Sequence, residues 1–257
     1  MAAAGGVPIA ASVILDTNNP GHLPPFKGKV GAIEGIVKVK GDPPLDSHAA
    51  LPPGNPECAD ARALYIKNFR KNPEGGLADA VVGVTDYDAY VPPSGDVRTV
   101  RIHGCAFDSR TVTLTFGQRV EIVNSDREAY LPHLNGAKNP ALMVALPGGD
   151  PVRIYPPQPG RYLLTDDIRH PWMRADVYVF KYATHTTTTV DGRYRIEGVP
   201  EGRVKISVYH PTLGRTMERF VEVPANDTAK NIDFELEYEV PRAAPSSSNA
   251  PRPPDLR

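Results

Sequence analysis

Apolar runs in this chain are short, and nearly every one ends at a proline or glycine. There are 28 prolines and 22 glycines among 257 residues. They fall between the runs, where they act as punctuation. A long helix cannot pass through such spacing, because proline removes an amide donor and clashes with the preceding turn. Short strands joined by turns can. Ile36-Val-Lys-Val-Lys40, Thr111-Val-Thr-Leu-Thr-Phe116, Arg119-Val-Glu-Ile-Val123, Asp176-Val-Tyr-Val-Phe180 and Val204-Lys-Ile-Ser-Val-Tyr209 read as strands. Gly117-Gln118 reads as the turn of a hairpin. The expected class is all-β, a sandwich built from many short strands.

Composition excludes several functions. The formal net charge is −1, which gives no electrostatic footing for nucleic acid or an anionic membrane. No apolar run reaches the roughly 18–20 residues of a membrane span. Met1-Ala-Ala-Ala-Gly-Gly6 lacks the basic and apolar regions of a signal peptide, as a mature end with an added Met would. Cys58 and Cys105 fit either one disulfide or two buried thiols. The disulfide is the expectation, since neither has metal-ligand spacing to a neighbour, and it agrees with an oxidising compartment.

Residues 1–27 are rich in Pro, Gly and Asn and carry no period, so they read as an extended arm. Residues 28–182 hold most of the strands and residues 183–240 a smaller antiparallel set. Residues 241–257 form a Pro/Ser-rich tail with too few apolar residues to fold alone. Residues 45–62 read as irregular, with Pro52-Pro-Gly-Asn-Pro56 breaking any helix.

Several ordered motifs resemble a bacterial cupredoxin-like group, the blue-copper β-sandwich proteins. They are Gly75-Gly-Leu-Ala-Asp-Ala-Val-Val82, Gly104-Cys-Ala-Phe-Asp-Ser-Arg-Thr111, Gly117-Gln-Arg-Val-Glu-Ile-Val-Asn-Ser-Asp126, Asp126-Arg-Glu-Ala-Tyr-Leu-Pro-His133 and the loop His170-Pro-Trp-Met173. Asp191-Gly-Arg-Tyr-Arg-Ile196, Val199-Pro-Glu-Gly202 and His210-Pro-Thr-Leu-Gly214 resemble a carboxypeptidase-regulatory-like sandwich. Together they cover about residues 29–238. The resemblance implies a cupredoxin-like Greek-key β-sandwich, residues 28–182, packed with a small antiparallel β-sandwich, residues 183–240.

It also implies where copper would sit. His133, His170 and Met173 match ligand positions. Tyr130 stands where the group has a His, Arg110 where it has His or Arg, and Asp167 where it has the thiolate Cys. A blue site needs that thiolate, because soft sulfur supplies the short covalent bond to copper. His133, His170 and a carboxylate from Asp166 or Asp167 would leave an N₂O set suited to Cu(II) or Zn(II). The opposite reading is that His170 and Trp172 pack the end of the sandwich and no metal binds. His22, His48, His103, His185 and His210 are scattered and read as surface or strand residues. Asp166 and Asp167 point to opposite faces of an extended segment, a poor acid/base pair. Hydrolase, phosphate-loop and zinc-protease motifs are absent.

The expected function is therefore non-enzymatic: a periplasmic or extracellular interaction or scaffold protein, a subunit of a larger complex with protein partners, on a fold whose copper site has degenerated. No cofactor is expected. The alternative is a non-blue copper protein for copper handling or electron transfer, using His133, His170, Met173 and Asp167.

Overall fold

The computed structural model describes residues 7–46, 51, 56–137 and 142–239. His48 and residues 241–257 lie outside them. In chain order the elements are α1 (Ala11–Asn18), β1 (Val30–Lys40), a 3₁₀ turn (Pro56–Cys58), α2 (Ala59–Tyr65), β2 (Val81–Thr85), β3 (Val97–His103), β4 (Ala106–Phe107), β5 (Thr111–Thr115) and β6 (Arg119–Asn124). There follow β7 (Pro132–Asn135), β8 (Val152–Ile154), β9 (Gly160–Asp166), β10 (Arg174–Phe180), β11 (His185–Thr187), β12 (Arg193–Pro200), β13 (Gly202–His210), β14 (Arg215–Val223), β15 (Thr228–Ala229) and β16 (Phe234–Glu237). The class is all-β.

Among the described residues, the strands form four four-stranded sheets around two cores. Sheets β5-β10-β9-β7 and β4-β3-β6-β8 enclose the first. It holds Ile102, Phe107, Leu114, Ile122, Leu164, Met173 and Val177. Alternation places them there: β6 reads half-buried, buried, half-buried along its length, and β10 does the same. The second core lies between sheet β11-β2-β13-β14 and the sheet in which β1 joins β12, β15 and β16. It includes Ile33, Val37, Leu77, Val82, Ile206 and Val208.

The two modules do not divide at residues 182 and 183. Strand β1 pairs with β12 from Val30↔Pro200 to Ile36↔Arg193 and with β16 from Val37↔Phe234 to Lys40↔Glu237. Strand β2 pairs with β11 and β13. The N-terminal strands thus complete the sheets around the second core, because the apolar alternation of the C-terminal strands leaves a face that these partners cover.

Gly117-Gln118 is also not a hairpin turn. Strand β5 pairs with β10 and β6 with β3, so the chain changes sheet there. Gly117 supplies a φ of +100°, and Gln118 Oε1 accepts the Thr115 N–H at 2.7 Å. That side chain takes the bond a hairpin partner would have made. Strand β5 is buried along its whole length, as befits a strand crossing between layers.

The described part of the N-terminal segment contains a two-turn helix, α1. Ile9 and Ile14 pack on the first core, and Asn18 Nδ2–H donates to the Phe116 carbonyl. A second helix, α2, begins within the stretch 45–62 expected to be irregular and runs past it to Tyr65. It follows the 3₁₀ turn Pro56–Cys58, at whose first position proline is tolerated because the first amides of a helix lack partners anyway. Cys58 and Cys105 are bridged. This joins the start of α2 to the β3–β4 turn, whose central residues Gly104 and Cys105 have φ of +56° and +59°. Both their N–H groups donate to the Asp126 carboxylate.

Candidate functional site

Five of the positions singled out by the resemblance converge on the ends of β7 and β9 and the loop to β10. Their register decides the site. Pro132 faces Asp166 and His133 faces Thr165 across the β7–β9 ladder. Opposite residues share a face. Pro132, Leu134, Leu164 and Asp166 are buried, while His133 and Thr165 are half-buried and Asn135 is exposed. Asp166 therefore points inward and His133 outward.

Each histidine meets a different carboxylate. His133 Nδ1 lies 2.7 Å from Asp167 Oδ2 on the outer face. His170, 5% exposed, has Nδ1 2.8 Å from Asp166 Oδ2 on the inner one. Burial pushes the Asp166 carboxyl up, but hydrogen bonds from His170, the Leu131 N–H and the Arg169 N–H outweigh it and hold the group below the usual carboxylate range. Asp166 is thus an anchored anion that orients the imidazole, with Nδ1–H donating and Nε2 directed away.

The remaining positions are engaged in packing. The Tyr130 ring lies against His170 at a tilt of 34°, with centroids 4.7 Å apart, and its hydroxyl donates to Asp126 Oδ2 at 2.7 Å. Burial, reinforced by that anion, raises the Tyr130 phenol. Trp172 meets His170 edge-on, and its indole N–H donates to the Cys105 carbonyl at 2.9 Å. Met173 is fully buried in the first core, its N–H closing a turn onto the His170 carbonyl. Arg110 lies elsewhere. Its guanidinium donates to the carbonyls of Leu64, in the last turn of α2, and of Lys67 and Asn68 just beyond it.

This donor set does not fit a blue-copper centre. The thiolate position holds a carboxylate, and the tyrosine at one His position is spent on Asp126. The two histidines lie on opposite faces. Among the described residues, no three His, Cys, Asp or Glu side chains are grouped so as to hold a metal ion.

What the residues do form is an open cleft of about 470 Å³. Its walls are Tyr130, His170, Trp172, the Cys58–Cys105 bridge, Glu57 and the 125–128 segment. Glu128 is half-exposed, with Oε2 3.8 Å from His170 Nε2. Glu128 lies inside the Asp126–His133 motif, which gave it no role, and Glu57 carried no signal in the sequence. Asp126 ends one motif and opens the next, but neither shows its role as acceptor for Gly104, Cys105 and Tyr130.

No family model matches the chain, and no curated protein matches it. Among solved structures it is similar to amicyanin from Paracoccus versutus (Thiobacillus versutus), at 23% identity over 38% of this chain and 96% of that one, with a TM-score of 0.30. It is also similar to a Cu-containing nitrite reductase from Thermus scotoductus SA-01, at 24% identity over 38% of this chain and 25% of that one, with a TM-score of 0.29. At that overlap neither likeness bears on what this chain does. No helix among the described residues is long and apolar enough to cross a membrane.

Proposed function

We propose that this chain is a non-enzymatic extracytoplasmic interaction or scaffold protein, built on a cupredoxin-like sandwich whose copper site has degenerated. One observation carries the reading. The histidines that the resemblance singles out are each held by a separate carboxylate, His133 by Asp167 and His170 by Asp166, on opposite faces of the sheet. Asp167 occupies the thiolate position, and Met173 is committed to the core. Side chains that would serve electron transfer serve packing instead. The Cys58–Cys105 bridge supports an oxidising compartment, periplasmic or extracellular. The second module, read as a carboxypeptidase-regulatory-like sandwich, has no catalytic role in this account.

Exposed apolar residues at the same end favour protein partners over solvent. Leu142, Val144 and Leu146 alternate outward on a segment bridged to Tyr130 through Ala145, and Ile168 projects from the loop after β9. Such side chains mark contact surfaces when they gather near one end. The test is affinity capture with the full chain as bait on extracytoplasmic extract, repeated with Leu142→Ser/Val144→Ser/Ile168→Ser. Specific partners lost in the triple variant support the reading. Equal capture by both proteins contradicts it.

A further inference from the structure

Strand β10 turns Val177 and Val179 into the first core, so Tyr178 and Phe180 point the other way. Strand β2 turns Val82 and Val84 into the second core, which leaves Val81, Gly83 and Thr85 on its opposite face. These two outward faces meet. Tyr178 touches Tyr209 edge-on, with centroids 5.9 Å apart, and Phe180 lies against His185 at 4.9 Å. Between the faces is a partly open cavity of about 250 Å³.

Gly83 makes room for it. The residue lies in mid-strand, paired with His185 on one side and Ser207 on the other. Its φ is outside the left-handed region, so the backbone does not call for glycine, and glycine weakens a strand. A methyl group there would meet nothing within 4 Å beyond its chain neighbours. A larger residue would fill the gap that this one keeps open.

The lining is uncharged. Among the described residues, no Asp, Glu, Lys or Arg borders the cavity. Burial, with the charge of Arg98 adding to it, lowers the His185 imidazole to about 4, so the ring is neutral near pH 7. The Thr184 hydroxyl donates to the Val84 carbonyl and the Ser207 hydroxyl to Glu218 Oε1, each at 2.9 Å, while His185 Nε2 lies 3.1 Å from Thr115 Oγ1. The Tyr178 hydroxyl and His185 Nδ1 are closed to solvent and make no hydrogen bond, so neither is presented to the cavity. Tyr178, Phe180, Tyr182 and Tyr209 supply aromatic walls.

We propose that this cavity binds one uncharged aromatic molecule of one or two fused rings. Volume sets the size, since an apolar cavity of about 150 Å³ takes benzene. The uncharged lining rejects ions, whose burial would go uncompensated. Aromatic walls favour an aromatic guest over an aliphatic one of the same outline. The site is separate from the cleft at His170, so the inference goes beyond the preceding reading and is tested apart from it.

The test is calorimetric titration of the full chain at neutral pH with indole, 2-naphthol, decahydro-2-naphthol and naphthalene-2-sulfonate. Saturable binding of indole and 2-naphthol at one site per chain supports the proposal. Decahydro-2-naphthol should bind at least about threefold more weakly, and the sulfonate should not bind. Nuclear Overhauser contacts from bound indole to Val81 and Thr85 should place it. Gly83→Val puts a good strand former into open space, so it should melt no lower than wild type while weakening 2-naphthol at least about tenfold. No saturable binding, equal affinity for the sulfonate or the saturated alcohol, contacts confined to another surface, or unchanged affinity in Gly83→Val overturns the proposal. A lower melting point in Gly83→Val means that the space is not open, and overturns it too. None of these outcomes touches the copper reading, which rests on other residues.

Discussion

Removing the Cys58–Cys105 bridge tests how the cleft wall is held. The linked residues are 47 apart, and in the chain-entropy model closing a loop of that length stabilises by about 4 kcal/mol. Both sulfurs are buried, so replacing them with alanine adds a small packing loss and no unpaired polar group. The double variant Cys58→Ala/Cys105→Ala should therefore lose about 4 kcal/mol, which at a urea dependence of about 2 kcal/mol/M lowers the midpoint by about 2 M. Wild-type protein in reductant should shift by a similar amount. The assay is equilibrium urea unfolding followed by circular dichroism and Trp172 fluorescence. Because the Trp172 indole N–H donates to the Cys105 carbonyl, its fluorescence should also report loosening of the cleft. A midpoint change below about 0.5 M, or two alkylatable thiols in unreduced unfolded wild type, would refute the reasoning.

Two further perturbations follow from buried groups. Burial, with the charge of Arg98 adding to it, lowers the His185 imidazole to about 4, and burial likewise lowers His210 to about 4. The unfolded chain binds these protons first, so stability is full above the ordinary histidine value near 6.5 and falls as pH drops toward 4, by about 3 kcal/mol for each group. Asp166 does not contribute in that window, because its depressed carboxyl loses its share only at lower pH. Urea midpoints from pH 7 to 4.5 should fall steeply, and less so in His210→Gln; a flat profile contradicts this. Gly117→Ala places a methyl group against Ile14 at a backbone φ of +100°, and should cost about 2 kcal/mol while freeing α1. Wild-type stability and unchanged protease protection of residues 7–27 would show that α1 is not seated there.

Much of this architecture is legible in the residues. Proline and glycine spacing announces short strands, and the alternation in 119–123, 176–180 and 204–209 places each within one of the observed strands. Pairing between distant strands is not legible. Nothing local in 30–40 says that its partners are 193–200 and 234–237, because the energy lies in covering a face that other strands create. The same limit hid the sheet change at Gly117-Gln118, where a side-chain acceptor replaces a hairpin bond. Helix α1 has no buried residue of its own, so only its docking through Ile9 and Ile14 explains it. At the candidate site, the motif residues His133, Asp167, His170 and Met173 come together around the ends of β7 and β9. The motifs could not give the register that turns His133 outward and Asp166 inward, nor show that Glu128, inside the Asp126–His133 motif, comes to lie beside His170.

The most direct test of the account is the metal content of protein purified from its native source without chelators, together with its Cu(II) spectrum and that of Asp167→Cys. Because His133 and His170 occupy opposite faces, restoring the thiolate restores one ligand without assembling the others. The account predicts substoichiometric metal in the native protein and no intense visible charge-transfer band in either chain. One tightly held copper per chain, or an intense blue band in Asp167→Cys, would contradict it.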